Sequence, residues 1–420
     1  MSLRILGTTA ADRDRLVAVH GAAFFFDPDT ISADVRTASL DWSRTFAASP
    51  DGGTTLAGVY TSYDMAVTVP GPLGSLVRVP MPGLSWVSVH PDHRRRGVLR
   101  EMVTHHLADL REQGAALSGL HAAEVAIYGR FGYAAASAEV ELTLARGTAF
   151  AAPALEEAAA AVRTHYVEAD PEETATAVQE LHLRCASTTL GAVTRTEQMT
   201  RSVLEDQPRS RQGRETGKVL FASVDGQPTG YARFHRTGSW GDDGLPDAIV
   251  TVPEIAAADP ASLLALARRL VDFDLTTTTR IGGRMADDPV IWWAGGPRTV
   301  PTTTHDGLWL RLVDVGAALS QRGYASACDV VLDVADDACP WNHRRWRLTA
   351  GDDGLGRCVP TDDPADLRLP VQALAAAYLG TRTLSSQARE GSVQERTPGS
   401  LWAASHALSD DREPVGAVMF

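Results

Sequence analysis

Residues 83–102 read "GLSWVSVHPDHRRRGVLREM", and the fold class turns on how they are parsed. Leu84, Trp86, Val87 and Val89 are strand formers, and Pro91 ends any ladder they join. After Gly97 the apolar residues Val98, Leu99, Met102, Val103, Leu107 and Leu110 recur at helical spacing until Gly114 stops the run. Arg94, Arg95, Arg96 and Gly97 therefore occupy the turn between a strand and a helix. A helix N-terminus exposes N–H groups that have no intrahelical partner, and the helix dipole adds positive potential there. Glycine lets a phosphate approach the backbone, and arginine side chains can reach around it. The dipole alone supplies only about 0.3–1 kcal/mol, so several amides must act together. The same spacing recurs at Arg214–Gly217 and Arg280–Gly283, but without a preceding strand and a following amphipathic helix. Context thus favours an anion site over a basic surface loop.

Upstream, residues 3–7 read as a strand, and Ala11-Asp12 starts a helix running toward Phe24. Residues 45–48 and 54–67 read as two strands around Pro50-Asp51-Gly52-Gly53, a sequence suited to a tight hairpin. Downstream come a strand-like stretch at 115–123, the aromatic box "IYGRFGY" at 127–133 and the alternating strand "AEVELTL" at 138–144. Alanine and proline between 146 and 161 mark a boundary. A second αβ unit follows, with a helix at 173–185, a hairpin at 218–235 turning at Asp225-Gly226, and a helix at 262–273. A third region opens near "DGLWLRLVDVGAALSQRGY" at 306–324 and reaches a helical "PVQALAAAYLG" at 370–380.

A chain of 420 residues exceeds what one hydrophobic core supports, so two or three domains are expected. With 44 % hydrophobic and 22 % charged residues it has the composition of a folded globular protein. No stretch approaches the roughly 20 apolar residues of a membrane span. The start "MSLRILG" lacks the pattern of a secretory signal, and a cytoplasmic protein is expected. Cys185, Cys328, Cys339 and Cys358 have neither a disulfide framework nor metal-site spacing. A net charge of −13 disfavours nucleic acid, which needs Lys and Arg to replace counterions, and suits a cationic partner.

The strand "VSV", the turn "HRRRGVL", the helix, the next strand and the box "IYGRFGY" together resemble the acyl-CoA core of GCN5-related N-acetyltransferases. In that family an Arg/Gln-x-x-Gly-x-Gly/Ala turn holds the CoA pyrophosphate. Leu99 departs from the small residue usual at its position. The Eis (enhanced intracellular survival) subgroup tolerates the departure, and the chain resembles it throughout: in length, in "HRRRG", in "IYGRFGY", in "DGLWLRLVDV" and in its final phenylalanine. The resemblance implies an α/β (α+β) fold of two tandem GNAT-like mixed-sheet domains plus a C-terminal sterol-carrier-like α/β domain. It implies a catalytic acetyl-CoA domain over 1–150, a degenerate GNAT-like domain over 151–300 and a sterol-carrier-like domain over 301–420 that ends in the active site. It also implies a homo-oligomer, often a hexamer, with acetyl-CoA as cosubstrate and no metal.

By the same resemblance Val87, Ser88 and Val89 pair through their backbone with the pantetheine arm, as an added strand does. Arg95, Arg96, Gly97, Val98, Leu99 and Arg100 surround the pyrophosphate. Ala123 and Glu124 match a serine-glutamate pair beside CoA, with alanine removing the hydroxyl. The second domain has no matching turn and is expected to bind no cofactor.

Acetyl transfer from a thioester to an amine removes a proton from the amine and gives one to the departing sulfur. Tyr128 resembles the family's proton donor; a phenol near pKa 10 and a thiol near 8.5 are close enough for the transfer. Its alternative is a packed aromatic, since Phe131 and Tyr133 lie close by. In Eis relatives the C-terminal carboxylate is the base, here that of Phe420 behind the apolar "AVMF". A free α-carboxyl near pKa 3.5 is weak against an amine near 10, but burial raises it, and the nitrogen turns acidic once it has attacked. Trp86 and Asp27 are candidates for amine contact, their alternatives being a core aromatic and a turn aspartate. His343 in "CPWNHRRW" has no second ligand at metal-site spacing and reads as a turn histidine. The expected activity is acetylation of primary amines, several of them on one aminoglycoside or lysine-containing peptide. Rival readings are a longer-chain N-acyltransferase, resembling N-myristoyltransferase, and a non-catalytic CoA- or lipid-binding protein.

Overall fold

The computed structural model describes residues 3–27, 30–416 and 418–420. In chain order its strands begin with β1 (Arg4–Gly7), β2 (Thr45–Ser49), β3 (Gly58–Tyr63), β4 (Ala66–Pro70), β5 (Leu76–Pro80), β6 (Gly83–Val89), β7 (Leu117–Leu120) and β8 (Ala134–Ala135). Next are β9 (Ala138–Ala145), β10 (Arg163–Glu168), β11 (Lys218–Val224), β12 (Gln227–Thr237), β13 (Ala248–Ala257), β14 (Thr276–Arg284), β15 (Thr302–Asp306) and β16 (Trp309–Leu312). Two seven-stranded mixed sheets result, ordered β1-β2-β3-β6-β7-β16-β8 and β10-β11-β12-β13-β14-β9-β15, and each has a parallel pair near its middle, β6 with β7 and β13 with β14. A separate five-stranded sheet is built from residues 328–395. This is the expected mixed α/β architecture.

The chain divides into two compact units, Met1–Ser137 with Gly307–Pro414 and Met419–Phe420, and Ala138–Asp306 with Val415–Val418. The strand read as the close of the first domain, β9, stands in the second sheet, where alternate residues Val140, Leu142 and Leu144 are buried in that unit's core. Conversely β16, read as the opening of the third region, completes the first sheet between β7 and β8, with Leu310 and Leu312 fully buried. The borders expected at 150 and 300 therefore part each of these strands from the sheet it joins.

In the first unit the helix Val98–Glu112 buries Val98, Met102, Val103, Leu107 and Leu110 of the expected stripe and adds His106, while Leu99 stays half-buried. Each such apolar side chain contributes about 1.5–3 kcal/mol when fully buried. The hairpin expected around residues 50–53 differs. Residues 50–57 form a longer loop in which Ser49 Oγ accepts from Gly53 N–H (2.7 Å) and Asp51 Oδ1 from Thr55 N–H (2.8 Å). Side chains thus satisfy the backbone that a two-residue turn would have paired, and the next strand starts at Gly58 rather than Thr54. It also ends at Tyr63, and Ala66–Pro70 pairs instead with Leu76–Pro80.

In the second unit the helix Pro171–Ala186 is capped by Asp170, and Pro260–Leu270 by Asp259, whose carboxylate accepts Ser262 N–H at 2.8 Å. Among the described residues no helix is long and apolar enough to cross a membrane, and no group of three His, Cys, Asp or Glu side chains could hold a metal ion. His343 ends a short 3-10 turn, where its Nδ1 accepts Asp336 N–H at 3.4 Å.

Candidate active site

The register of β3 against β6 pairs Val59 with Ser88 but Thr61 with Ser85, so Tyr60 faces both Trp86 and Val87. This two-against-one bulge puts Trp86 at φ +57°, a left-handed conformation that costs a bulky residue about 1–2 kcal/mol. On its other side β6 pairs with β7 at a single residue pair, Gly83 with Gly119. Side chains above that pair explain the two glycines. A Cβ at Gly83 would lie 2.6 Å from Met65 Sδ and 2.7 Å from Phe420 Cε2, and one at Gly119 would lie 2.5 Å from Met81 Sδ. Beyond the pinch the strands diverge, and the edge Val87–Val89 is left without a strand partner on that side, as an extended ligand requires.

The arginine-glycine turn follows directly. Pro91–His93 forms one 3-10 turn, Arg95 and Gly97 both take positive φ (+61° and +83°), and the helix begins at Val98. Its first backbone bond is Glu101 N–H to Gly97 O at 3.0 Å, so the N–H groups of residues 98–100 point out of the helix end. A Cβ at Gly97 would meet no atom within 4 Å; it would project into open space. Gly97 itself lines a cleft of about 830 Å³. The cleft draws on Val87, Ser88 and Val89 from β6, on Arg95, Gly97, Val98, Leu99 and Arg100 from the turn, and on Ala123, Glu124 and Tyr128 opposite.

Tyr128 ends the short helix Val125–Tyr128, and Gly129–Phe131 continues as a 3-10 turn to Gly132 at φ +87°. Gly132 also has the Arg311 guanidinium beneath it, since a Cβ there would sit 2.6 Å from Arg311 Cζ. Arg311, fully buried, makes two hydrogen bonds to Asp336 (2.8 and 2.7 Å), and Gln372 Nε2 donates to Gly129 O at 2.7 Å. The whole box is thereby fastened from residues far along the chain. Phe131 and Tyr133 are core residues, Tyr133 bonding through Ser118 Oγ (2.9 Å) to His106 Nε2 (3.0 Å). Tyr128 is buried yet lines the cleft. Burial, and secondarily the Glu124 carboxylate, push its phenol up to about 12, so it holds its proton at any ordinary pH.

Four expected residues lie outside the cleft lining. Arg96 is exposed and not part of the lining, while Asp27 is exposed on the loop two residues beyond the lining residue Phe25. Trp86 is half-buried in the bulge, stacked on His20. Phe420 is half-buried at the paired end of β6, against Gly83 and His121. Sequence reasoning missed Phe24 and Phe25, which line the cleft from the end of the helix Arg13–Phe24. Phe25 is 89 % exposed at φ +59°. An unbroken "FFF" at a helix end was the available signal, since three adjacent aromatics cannot all enter one core.

Comparison with known proteins agrees with this geometry. Acetyltransferase (GNAT) domain models match residues 4–136 and 191–312, and a sterol carrier protein domain model matches 315–416. An uncharacterized N-acetyltransferase of Streptomyces coelicolor is 39 % identical over 89 % of this chain and 87 % of its own length. The N-acetyltransferase Eis of Mycobacterium tuberculosis is 29 % identical over 98 % of both chains. The crystal structure of Eis1 from Mycobacterium abscessus superposes with a TM-score of 0.83 at 29 % identity, covering all of both chains.

Proposed function

The chain belongs to the Eis family of GCN5-related N-acetyltransferases, and on that footing we propose that it moves the acetyl group of acetyl-CoA onto primary amines of a polycationic small molecule or a lysine-containing peptide. One observation carries the reading. A partnerless strand edge, a helix N-terminus with a left-handed glycine, and a protonated buried phenol open into a single cleft. Those residues fit acetyl-CoA. The space a Cβ at Gly97 would fill suits a pyrophosphate, Arg95 and Arg100 supply countercharge, and Val87–Val89 offer backbone to the pantetheine amides.

Bound there, acetyl-CoA supplies an activated thioester. The nitrogen–carbon bond forms as the carbon–sulfur bond breaks, the amine gives up one proton and the sulfur takes one. Tyr128 is the proposed donor to sulfur. Its raised pKa keeps the donor loaded, at the cost of a less favourable transfer. The Phe420 carboxylate is the proposed acceptor from nitrogen, which becomes acidic only after it has begun to bond to carbon. Trp86 and Asp27, beside the cleft rather than in its lining, are the proposed amine contacts, and the acidic chain (net charge −13) favours approach of a cation. A cytoplasmic homo-oligomer, hexameric as in the resemblance, completes the reading.

Screening amines with acetyl-CoA and reading free thiol release tests it. Aminoglycosides and lysine peptides are expected to turn over, and competition by longer acyl-CoAs is expected to be weak. Thiol release with none of these amines would overturn the substrate class, and preferred use of long acyl chains would favour the acyltransferase rival.

A further inference from the structure

The strained backbone at Trp86 is flanked by two polar groups, Ser88 and His20. Ser88 Oγ donates to Trp86 O across the bulge (3.0 Å) and lies 2.8 Å from His20 Nδ1. A serine hydroxyl has one proton, and it is spent on the Trp86 carbonyl. In that arrangement His20 is the donor in the second bond, as its Nδ1–H tautomer. The same imidazole stacks on the Trp86 indole, with ring centroids 4.4 Å apart and planes at 22°. His20 comes from the helix Arg13–Phe24, outside the strand it grips. It is set among Phe24 and Phe26, with centroids at 4.6 and 5.2 Å. Burial, and secondarily Arg36, lower its pKa to about 4, so the imidazole is neutral at working pH and, in this tautomer, only Nδ1 carries hydrogen.

Resting on the acetyltransferase reading, we infer that His20 is a positioning residue for the acyl donor, holding the Trp86–Val87 bulge through Ser88 Oγ and through its stacked ring. The consequence follows from strand geometry. A bulge is a one-residue register change, and losing it turns every following side chain and backbone group to the opposite face. Val87–Val89 would then present the wrong backbone groups to the pantetheine arm. His20 touches no reacting atom, and its effect passes wholly through Ser88 and Trp86.

Steady-state kinetics on the full chain with acetyl-CoA and an amine that the wild type acetylates test this. His20→Phe keeps a flat ring for stacking and loses the Nδ1 donor. It is expected to raise the KM for acetyl-CoA about tenfold and lower kcat, with a smaller rise in the KM for amine through Trp86, while the protein still unfolds in one cooperative transition. His20→Asn, whose Nδ2 can stand near Nδ1, is expected to recover most of the loss. Ser88→Ala cuts the same link from the strand side without touching the helix. The double variant is expected to be no worse than the poorer single one. A wild-type KM for acetyl-CoA in both His20→Phe and Ser88→Ala overturns the inference, as does full additivity of the two changes. Lower kcat with both KM values unchanged also overturns it, since loss of folded protein alone would do that. If His20→Phe does not fold, Ser88→Ala and His20→Asn decide by the same readouts. Absence of acetyl-CoA-dependent turnover in the wild type would instead count against the acetyltransferase reading itself.

Discussion

The Phe420 ring stands edge-on to the His121 imidazole, with centroids 5.1 Å apart and planes at 76°, and it packs against Gly83, where a Cβ would come within 2.7 Å of Phe420 Cε2. Gly83 and His121 belong to β6 and to the segment just beyond β7. The Phe420 side chain is thus seated beside the one residue pair that joins β6 to β7.

If the Phe420 carboxylate is the base, its position matters more than the phenyl ring. Adding a few residues after Phe420 turns the carboxylate into an amide while every earlier contact can persist. The expected result is a large fall in kcat with nearly unchanged acetyl-CoA affinity and melting temperature. Phe420→Leu retains a carboxylate and is expected to cost less. Normal turnover by the extended chain across the pH range would falsify the terminal base.

Tyr128→Phe keeps the packing against Tyr133, whose ring centroid is 6.1 Å away, and removes the proton. The expected fall in kcat is about 10²–10⁴-fold if proton donation limits the rate. Because burial holds the phenol near 12, the wild-type rate should show no alkaline limb from this group below that pH. A limb near pH 9 that persists in Tyr128→Phe would assign it to another residue.

Gly97→Val places a branched side chain at φ +83° and into the open space where the pyrophosphate is proposed to sit. Calorimetry should show acetyl-CoA binding weakened by at least tenfold, with amine KM unchanged. Gly97→Ala should show the same effect in smaller measure. Equal acetyl-CoA affinity in all three proteins would remove the turn from the cofactor site.

Glu139 on β9 makes a pH prediction for stability. Its Oε1 is buried without a hydrogen-bond partner among the described residues. Burial, and then Asp306, push its carboxyl from 4.5 up to about 7. A folded pKa above the unfolded one means that the group's contribution is fully present below pH 4.5 and is lost as pH rises through 7. Glu139→Gln should therefore gain on the wild type between those values and level off above them, by about 1–3 kcal/mol. Denaturant melts at pH 4 and pH 8 measure it, and an equal difference at both pH values would refute the shift.

The parts of this molecule that the sequence discloses are the local ones. Val98, Met102, Val103, Leu107 and Leu110 announce their helix by spacing, and Gly97 before them announces a turn that only glycine takes easily. That Val87, Gly97 and Tyr128 meet in one cleft followed from the family resemblance, since no spacing rule ties residue 97 to residue 128. What stayed hidden depends on register or on distant pairing. Trp86 is left-handed because β3 and β6 slip by one residue, and nothing in "LSWVS" records a slip. His20 looked like any helix histidine until Ser88 was beside it. An apolar "LWLRL" signals burial but not its partner, so β16 was read with the region that follows it, and β9 for the same reason with the region before it.

The placing of β16 has a consequence for how the protein is made. Strand β8, which follows the aromatic box, pairs with the first sheet through β16, so Ala134–Ala135 must wait for Trp309–Leu312 to be synthesised. At about 5–20 residues per second that interval is roughly 10–35 s. Throughout it the nascent chain carries the bare edge of β7 and an Arg311 site not yet filled under Gly132. The first unit is thus no autonomous folding unit on the ribosome. Its last strand arrives only after the intervening second unit has emerged, which exposes the early chain to edge-to-edge association and gives chaperones a defined window in which to shield it.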